Sequence, residues 1–402
     1  MQGQIVRFAL YFFMSLRIIK AKSIFNGEKF IQENVLVIKD NRIVDLFFSE
    51  SNENITELYD GILVPGFVNA HCHLELSYLH HQFEHYQELL GFIRQMFQKR
   101  NLFNEKEIIS QAEYWDKKMY ENGIVAVGDI VNTIHTLNIK VQSPIHYINF
   151  IEVFGLLADK SELIFHKSTE LQTTFLNHHL SAFLAAHAPY SLSNPLWYLL
   201  LNYYKNNTQQ ITSSLHFLES SDEKNLLTNR DSLMRTFFEK EFNLKQYELT
   251  QISYNFETYF QQLVKHSKTT ILVHSTFWKG EYQNIINSFK NKIFFCLCPN
   301  ANLLIEQKLP DVDYISSYSD NICLGTDSLA SNFNLSIVDE MNVLLTNFPQ
   351  LSIEKVLKWG TSNGAKALNL NTKIGYIKMN CTLPLNVIEI KGRKIIHKGM
   401  IK

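Results

Sequence analysis

The chain has 402 residues, of which 46% are hydrophobic and 19% are charged, a composition that excludes an intrinsically disordered protein. The 38 basic and 39 acidic residues leave a formal net charge of -1, which gives no support for general nucleic-acid binding. The apolar residues 8–14 are too few to cross a bilayer and are soon followed by Arg17, so we interpret them as an N-terminal extension rather than a signal peptide. The five cysteines do not have the spacing of a disulfide framework, which favours a reducing cytoplasm.

Both ends of the chain are predicted to be rich in β-strands. Short apolar runs occur at 16–19, 34–38, 42–46, 385–390 and 394–397. Asp40-Asn41 and Gly392 supply turn signals between neighbouring runs. We expect the two ends to pair with each other and to form one small β-sandwich domain from residues 1–60 and 375–402.

The middle of the chain alternates apolar runs with longer helical patterns, which is typical of a parallel sheet. Eight buried strands are predicted, at 62–70, 124–129, 145–150, 181–186, 211–215, 270–273, 293–297 and 321–324. Eight βα units match a closed (β/α)8 TIM barrel, which we assign to residues 61–374. An open doubly wound sheet is the alternative, but no glycine-rich phosphate loop follows any of the strands.

Polar residues with catalytic side chains follow five of these strands directly. They are His71, His73, His187, His216, Glu219, His274 and Asp327. All lie at the carboxyl ends of predicted strands, and barrel enzymes build their active sites at that end. The sequence therefore predicts one site at one face of the barrel.

The chemistry of these residues favours a catalytic metal. Strand side chains alternate, so His71 and His73 project to the same side and can bind one divalent ion. A third imidazole and a carboxylate from distant strands would complete the ligands and leave an open position for water. The metal lowers the pKa of that water towards about 7 and so generates hydroxide at neutral pH. Glu219 is placed to donate a proton to the leaving side, and His274 or Asp327 could serve as a second acid or base.

Each of these residues also has an ordinary structural explanation when taken alone. A His-x-His pair can be a plain strand pair, and His216 with Glu219 can be a helix-capping arrangement. His187 can bond a loop carbonyl, and Asp327 can cap a helix or turn. The joint pattern outweighs them because separate strands place suitable residues at the same end. Cys72 should point away from the two histidines, and Cys296 and Cys298 fit a buried core better than a zinc site.

On these residues the chain resembles the amidohydrolase superfamily from about residue 17 onwards. The motifs that carry the resemblance are VPGFVNAHCHLELS at 64–77, AHAPYS at 186–191, HFLES at 216–220, LVH at 272–274, CP at 298–299 and GTDSLASN at 325–332. Their number and order make the resemblance specific. The branch is similar to the mononuclear aminohydrolases that deaminate purines and related rings.

The resemblance implies roles for individual residues. It implies that the ligands of a single divalent ion are His71, His73, His216 and Asp327. Glu219 would be the proton shuttle, His274 a partner of the metal-bound water, and His187 a substrate contact. Zinc is the first choice for the ion, with iron(II) or manganese as alternatives, because such ligands do not select sharply between metals. No lysine ends the fourth strand, so the carbamylated-lysine bridge of dinuclear relatives is not expected.

Further motifs are HLELS at 73–77, NFIEVFG at 149–155, HFLES at 216–220 and SLASNFNLSIVDE at 328–340. On these the chain is similar, within this branch, to the aminodeoxyfutalosine deaminases, which belong to an alternative menaquinone route. That similarity makes Glu75 and Glu152 candidate substrate contacts, since carboxylates suit ribose hydroxyls and ring nitrogens, although Glu152 could equally be structural. It implies hydrolytic deamination of an adenine-type nucleoside. The alternatives are guanine, S-adenosylhomocysteine or methylthioadenosine, a chlorotriazine, and an inactive barrel that serves as a scaffold.

Some segments depart from the family pattern or have no assigned role. The family's Cys-Pro-Arg/Phe-Ser-Asn reads CPNAN at 298–302, which bears on the substrate pocket, and its Ala-Asp reads NCT at 380–382. Residues 226–268 form a long insertion without an evident function. We expect a small-molecule substrate, neither nucleic acid nor membrane as a partner, and leave a homodimer open.

Overall fold

The computed structural model describes residues 16–83, 88–228, 230–242, 246–372 and 374–402, with the side chains at 242 and 246–254 left aside. The apolar run at 8–14 lies outside the described residues. Among those that are described, no helix is both long enough and apolar enough to cross a membrane.

Seven strands from the two chain ends are joined in one sheet. They are β1 (Leu16–Phe25), β2 (Phe30–Ile31), β3 (Val35–Lys39), β4 (Arg42–Phe47), β5 (Glu57–Pro65), β14 (Leu385–Lys391) and β15 (Lys394–Ile401). The strand order is β15-β14-β5-β1-β3-β4, with β2 beside β1. The predicted pairing of the chain ends is confirmed, because β14 runs antiparallel to β5 and places Leu385 opposite Pro65.

The other eight strands form a ring of parallel strands. They are β6 (Phe67–Cys72), β7 (Ile124–Val131), β8 (His146–Val153), β9 (Ser181–Ala186), β10 (Thr212–Phe217), β11 (Thr269–His274), β12 (Ile293–Leu297) and β13 (Ile322–Leu324). They pair as two four-stranded sheets, β6 to β9 and β10 to β13. At one seam His216 N donates to the His187 carbonyl, and at the other Thr326 N and Asp327 N donate to the His71 carbonyl. The strand order and the contacts at the two seams are compatible with the predicted barrel.

One predicted strand is divided in the structure. The apolar run at 62–70 is shared between β5, which ends at Pro65 in the sheet of the chain ends, and β6, which begins the barrel at Phe67. Gly66 lies between them, and a Cβ atom at this position would lie only 2.4 Å from Val125. The close approach of β7 therefore requires glycine at the point where the chain passes from one sheet to the other.

Helices cover the outside of the ring. They are α1 (Glu88–Lys99), α2 (Glu105–Glu121), α3 (Leu137–Gln142), α4 (Ser161–Asn177), α5 (Asn194–Asn206), α6 (Ser221–Leu227), α7 (Leu233–Phe242), α8 (Gln246–His266), α9 (Gln283–Ser288), α10 (Pro299–Glu306), α11 (Val312–Tyr318), α12 (Ile337–Asn347), α13 (Ile353–Lys358) and α14 (Gly364–Ala367). Short 3₁₀ segments lie at Leu74–Leu79 and Ala158–Lys160, and a π-helical turn at Trp359–Asn363. The insertion at 226–268 thus supplies α7 and α8.

Apolar side chains fill the ring below the predicted site. Residues such as Val68, Ala70, Phe150 and Val273 form a buried cluster that also contains Cys296 and Cys298. Cys72 belongs to the separate cluster between the strands and the helices, so it points away from the ring interior, in agreement with the sequence prediction. All five cysteines are free and buried.

A buried ion pair lies between β7 and α3. Lys140 Nζ lies 2.5 Å from Asp129 Oδ2 and donates to Asn149 Oδ1 at 2.8 Å. The other oxygen of Asp129 accepts a hydrogen bond from Leu74 N at 2.8 Å. Burial raises the pKa of Asp129, and the charge of Lys140 acts in the opposite direction. The pair therefore fixes the backbone directly after His73.

Replacing Lys140 by methionine should strongly destabilise the fold, because it leaves the Asp129 carboxylate buried without a counter-charge. A loss of about 3–5 kcal/mol in the free energy of unfolding is expected from the cost of breaking a buried pair. Urea unfolding would measure it. Lys118→Met, which removes an exposed pair with Glu121, is the matched control and should leave the unfolding midpoint nearly unchanged. Equal midpoints for the two variants would contradict the assignment of the buried pair.

Candidate active site

Four of the predicted residues converge at the carboxyl end of the ring. His71, His73, His216 and Asp327 are buried, and each offers a ligand atom within 4.8 Å of the others. The Nε2 atoms of His71 and His73 are 3.2 Å apart. They lie 3.5 Å and 3.3 Å, respectively, from Asp327 Oδ1. The structure thus brings together the set expected to bind a metal.

The seam between the first and last strands holds two of these residues in place. The His71 carbonyl accepts the N–H of Asp327, and Asp327 has a left-handed backbone with φ of 58°. Gly325 packs directly on β6, where a Cβ atom would lie 2.8 Å from His71 Cβ and 2.9 Å from Cys296 Sγ. The absence of a side chain at this position lets the loop that carries Asp327 approach His71.

The protonation of the cluster suits a cation. Burial lowers the pKa of His73 to about 3 and lowers that of His216 well below its usual value. Burial alone would raise the pKa of Asp327, but hydrogen bonding to His71 and the nearby imidazoles hold it far below its usual range. His216 Nδ1 lies 2.8 Å from the His187 carbonyl and donates to it, which leaves the lone pair on Nε2. Neutral imidazoles and one carboxylate are a donor set that fits a divalent metal.

Glu219 and His274 lie beside this cluster. Glu219 Oε1 is 3.6 Å from His274 Nε2, and both side chains are buried. Burial raises the pKa of Glu219 well above its usual value, and the charges of Asp327 and Glu223 act in the same direction. Burial therefore favours the protonated form of the Glu219 carboxyl, which is the form that can donate a proton.

His274 is oriented by a residue that the sequence reasoning did not assign. Asn302 Nδ2 lies 3.2 Å from His274 Nδ1 and donates to Thr276 Oγ1 at 2.7 Å. An amide N–H donated to Nδ1 places the ring proton on Nε2, which faces Glu219. The motif at 298–302 contained this signal, since its final asparagine is the residue that contacts the histidine.

The unusual residue in that motif also has a defined partner. Asn300 donates from its backbone N to Glu340 Oε2 and from Nδ2 to Glu340 Oε1, each at 2.9 Å. Asn332 donates to the same carboxylate at 2.7 Å. Glu340 therefore links the loop after β12 with the loop that carries Asp327, and the departure from the family pattern lies within a hydrogen-bonded network.

The three predicted substrate contacts have different surroundings. Glu75 Oε2 accepts from the backbone N of Asn132 and Thr133, both at 3.0 Å, so this oxygen holds the loop after β7. Glu152 Oε2 accepts from Asn132 Nδ2 at 3.0 Å, whereas its buried Oε1 has no hydrogen-bond partner among the described residues. Burial raises the pKa of Glu152 to about 7. His187 Nδ1 lies 2.9 Å from Ser191 Oγ, which leaves Nε2 for a ligand.

A cavity of about 640 Å³ extends outward from the cluster. Its inner end is formed by His73, His187, His216, Glu219, His274 and Asp327. Its outer walls are mainly apolar and come from α1, α4 and α7, with Leu89, Phe92, Ile93, Met96, Ile164, Leu171, Phe237 and Phe238. Three exposed cations also line it, Arg100, Lys160 and Lys167.

The sequence profile of the amidohydrolase family matches residues 62–402. The chain belongs to the amidohydrolase family. It is thus a hydrolase of a family whose relatives act on C–N bonds, in agreement with the sequence prediction.

Individual relatives extend over nearly the whole chain. An adenosine deaminase of Helicobacter pylori is 28% identical over 362 residues, which are 88% of this chain and 85% of that protein. An aminodeoxyfutalosine deaminase of Nitratiruptor sp. is 25% identical over 377 residues, or 90% and 86% of the two chains. The solved structure of Helicobacter pylori aminofutalosine deaminase in complex with methylthio-coformycin has a TM-score of 0.79 at 24% identity and covers 93% of this chain and 92% of that one. This structural similarity shows a shared fold.

Gly325→Ala should disturb the cluster without removing any of its side chains. The added methyl group would contact His71 and Cys296, both of which are fully buried and cannot move into solvent. Overpacking of this kind costs about 1–3 kcal/mol, so the thermal unfolding temperature should fall. Metal content per chain, measured by elemental analysis after dialysis, should fall with it. Gly392→Ala is the control for loss of stability alone: its φ of 61° disfavours alanine, but no atom of the described residues lies within 4 Å, so it should lower the unfolding temperature without lowering the metal content. A fully metallated and equally stable G325A protein would refute this account of the seam.

Proposed function

We propose that the protein is a metal-dependent hydrolase that deaminates an adenine-type nucleoside, with an aminodeoxyfutalosine-like compound as its substrate. The observation that carries the proposal is the position of the buried Glu219 carboxyl beside four converging side chains that can bind a metal, in the lining of one pocket. The deaminases among the relatives support the same chemistry.

His71, His73, His216 and Asp327 would hold one divalent ion. Zinc is the first choice because three imidazoles and a carboxylate are typical of catalytic zinc sites, and iron(II) or manganese are the alternatives. When bound, the ion supplies Lewis-acid activation of a water molecule at neutral pH.

The side chains around the cluster would donate a proton to the substrate and position the attacking water. Glu219 would donate its proton to the ring nitrogen next to the carbon that bears the amino group, which prepares that carbon for attack by water. His274, whose Nε2–H faces Glu219, would hold the attacking water in position. In the overall reaction one water is consumed, the C–NH2 bond breaks, a C–O bond forms and ammonia leaves.

Glu152 and His187 are the residues best placed to bind the nucleoside. The unpartnered Oε1 of Glu152 would accept a hydrogen bond from a hydroxyl or ring N–H of the substrate, and its side chain is only 7% exposed. His187 Nε2 would contact the substrate from the neighbouring strand. Glu75 would act mainly through the loop at 132–133 that it holds.

The shape of the cavity supports an extended substrate. A cavity of about 640 Å³ has room beyond a purine nucleoside at its inner end, and the walls of the remainder are apolar. Arg100, Lys160 and Lys167 would attract an acidic group on the far end of such a substituent. Guanine and chlorotriazines would leave this outer part empty.

The proposal includes a cytoplasmic location and a role in menaquinone biosynthesis. The five free cysteines support the cytoplasmic location.

Glu219→Gln should remove most of the activity. The amide has no acidic proton, so kcat should fall by about 10²–10⁴-fold, the usual contribution of a general acid. The decrease in adenine absorbance and the release of ammonia would both report it. Metal content should equal that of the unaltered protein, because Glu219 is not one of the four ligands. Undiminished turnover in this variant would exclude Glu219 as the acid.

A panel of substrates should separate the proposed nucleoside from its alternatives. Aminodeoxyfutalosine should have a kcat/KM at least about tenfold above those of adenosine, 5'-deoxyadenosine, methylthioadenosine and S-adenosylhomocysteine. A tenfold preference requires only about 1.4 kcal/mol of additional binding in the transition state, which contacts in the outer part of the cavity would supply. Guanine and chlorotriazines should not react. Metal content is measured on the same sample, and a portion stripped by a chelator should be inactive until zinc is restored. A preference for free adenosine would contradict the proposal of an extended substrate. Activity in the portion stripped by the chelator would contradict the requirement for a metal.

A further inference from the structure

Glu223 lies four residues beyond Glu219 and contacts the turn on which Glu219 sits. Its Oε1 accepts a hydrogen bond from Leu218 N at 3.0 Å, and its Oε2 accepts one from Glu219 N at 2.8 Å. The side chain of Glu223 is completely buried. One carboxylate therefore bonds two consecutive N–H groups, one of which belongs to the proposed acid.

The turn held by Glu223 is strained. Leu218 has a φ of 47°, a left-handed conformation that is unfavourable for a bulky side chain. The carbonyls of Phe217 and Leu218 accept hydrogen bonds from Ser275 N and Phe277 N, both at 2.9 Å. The turn is thus held on one side by Glu223 and on the other by the loop that follows His274.

Helix capping alone does not explain the direction of the Glu223 side chain. Ser220 is the N-cap of α6, and its Oγ accepts from Glu223 N at 3.0 Å, as in the usual Ser-x-x-Glu signature. In a capping box the glutamate would return to the N–H of the capping serine. Here the two carboxylate oxygens bond the N–H groups of the two residues before that serine.

We propose that Glu223 is a positioning residue that holds the Leu218–Glu219 backbone, and through it directs the Glu219 carboxyl towards His274 and the reacting ring. The inference rests on the proposed function, in which Glu219 is the acid. Glu223 itself takes no part in the proposed chemistry, because its two oxygens already accept hydrogen bonds from the backbone.

The test is a pair of substitutions, Glu223→Gln and Glu223→Ala, assayed with the zinc-loaded protein and its best nucleoside substrate. Glutamine retains one acceptor oxygen, so kcat should fall by about tenfold in Glu223→Gln. Alanine retains none, so kcat should fall by about 10²-fold in Glu223→Ala, the scale expected when a catalytic group is displaced by about 1 Å. KM should change by less than about threefold, because the pocket walls are untouched. Metal content should stay unchanged.

Two further proteins separate positioning from a general loss of stability. Ser352→Ala removes the N-cap of α13, away from the cavity, and should lower the unfolding temperature without changing kcat. In a Glu219→Gln background, assayed at high enzyme concentration, Glu223→Gln should cause no further loss, because the residue through which it acts is already disabled.

Each result is decisive. Equal fold losses from Glu223→Gln in the two backgrounds, or an unchanged kcat in Glu223→Gln, would overturn the positioning role while the proposed function stands. Full activity of Glu219→Gln alone would instead overturn the proposed acid, and with it the inference. If the alanine variant does not fold, the glutamine variant decides, since it preserves the volume and one of the two hydrogen bonds.

Discussion

The hydrogen bonds at the seam between the first and last barrel strands are the constraint on which the site depends. The His71 carbonyl accepts the N–H groups of Thr326 and Asp327, and the Asn69 side chain bonds Thr326 in both directions. These bonds close the ring, and they also bring a carboxylate from the end of the barrel onto a histidine from its beginning. A sheet left open at this seam would carry the same residues far apart. Contact across this seam and assembly of the metal-binding set therefore depend on the same hydrogen bonds.

The convergence of His71, His73, His216 and Asp327 could be predicted from the sequence because the relevant signals lie at the ends of strands. Alternation of side chains places His71 and His73 on one side, and the carboxyl ends of parallel strands meet at one face. The residues that each strand adds to the site can therefore be predicted from that strand alone. The division at Gly66 was not predicted, although Pro65-Gly66 interrupts the run at 62–70 with a turn signal, because the sequence alone does not show how closely Val125 approaches this point. Periodicity describes which face of a strand is buried but not which sheet it joins.

The residues that orient the site were harder to find, since their roles depend on partners distant in sequence. Glu75 and Glu152 could not be told apart by residue type, yet the loop at 132–133 bonds an oxygen of Glu75, whereas Oε1 of Glu152 has no hydrogen-bond partner in the described part of the chain. Asn302 and Glu340 likewise acquire their roles only when the loops after several strands meet. Glu223 did carry a local signal, the Ser-x-x-Glu pattern, but that pattern predicts a helix cap rather than a hold on the preceding turn.

Burial acts in opposite directions on the pKa values of the acids and bases of this site, and both effects would serve the proposed deamination. It lowers the pKa of His73 to about 3 and that of His216 well below its usual value, which keeps their lone pairs available, and it raises the pKa of Glu219, which favours the form that carries a proton. Asp327 is the exception because hydrogen bonding and nearby imidazoles keep it ionised. A single water-excluded environment can therefore provide ligands for a cation and a proton for a ring nitrogen within a few ångströms. The division of roles between Asp327 and Glu219 follows from their neighbours and not from their chemical type.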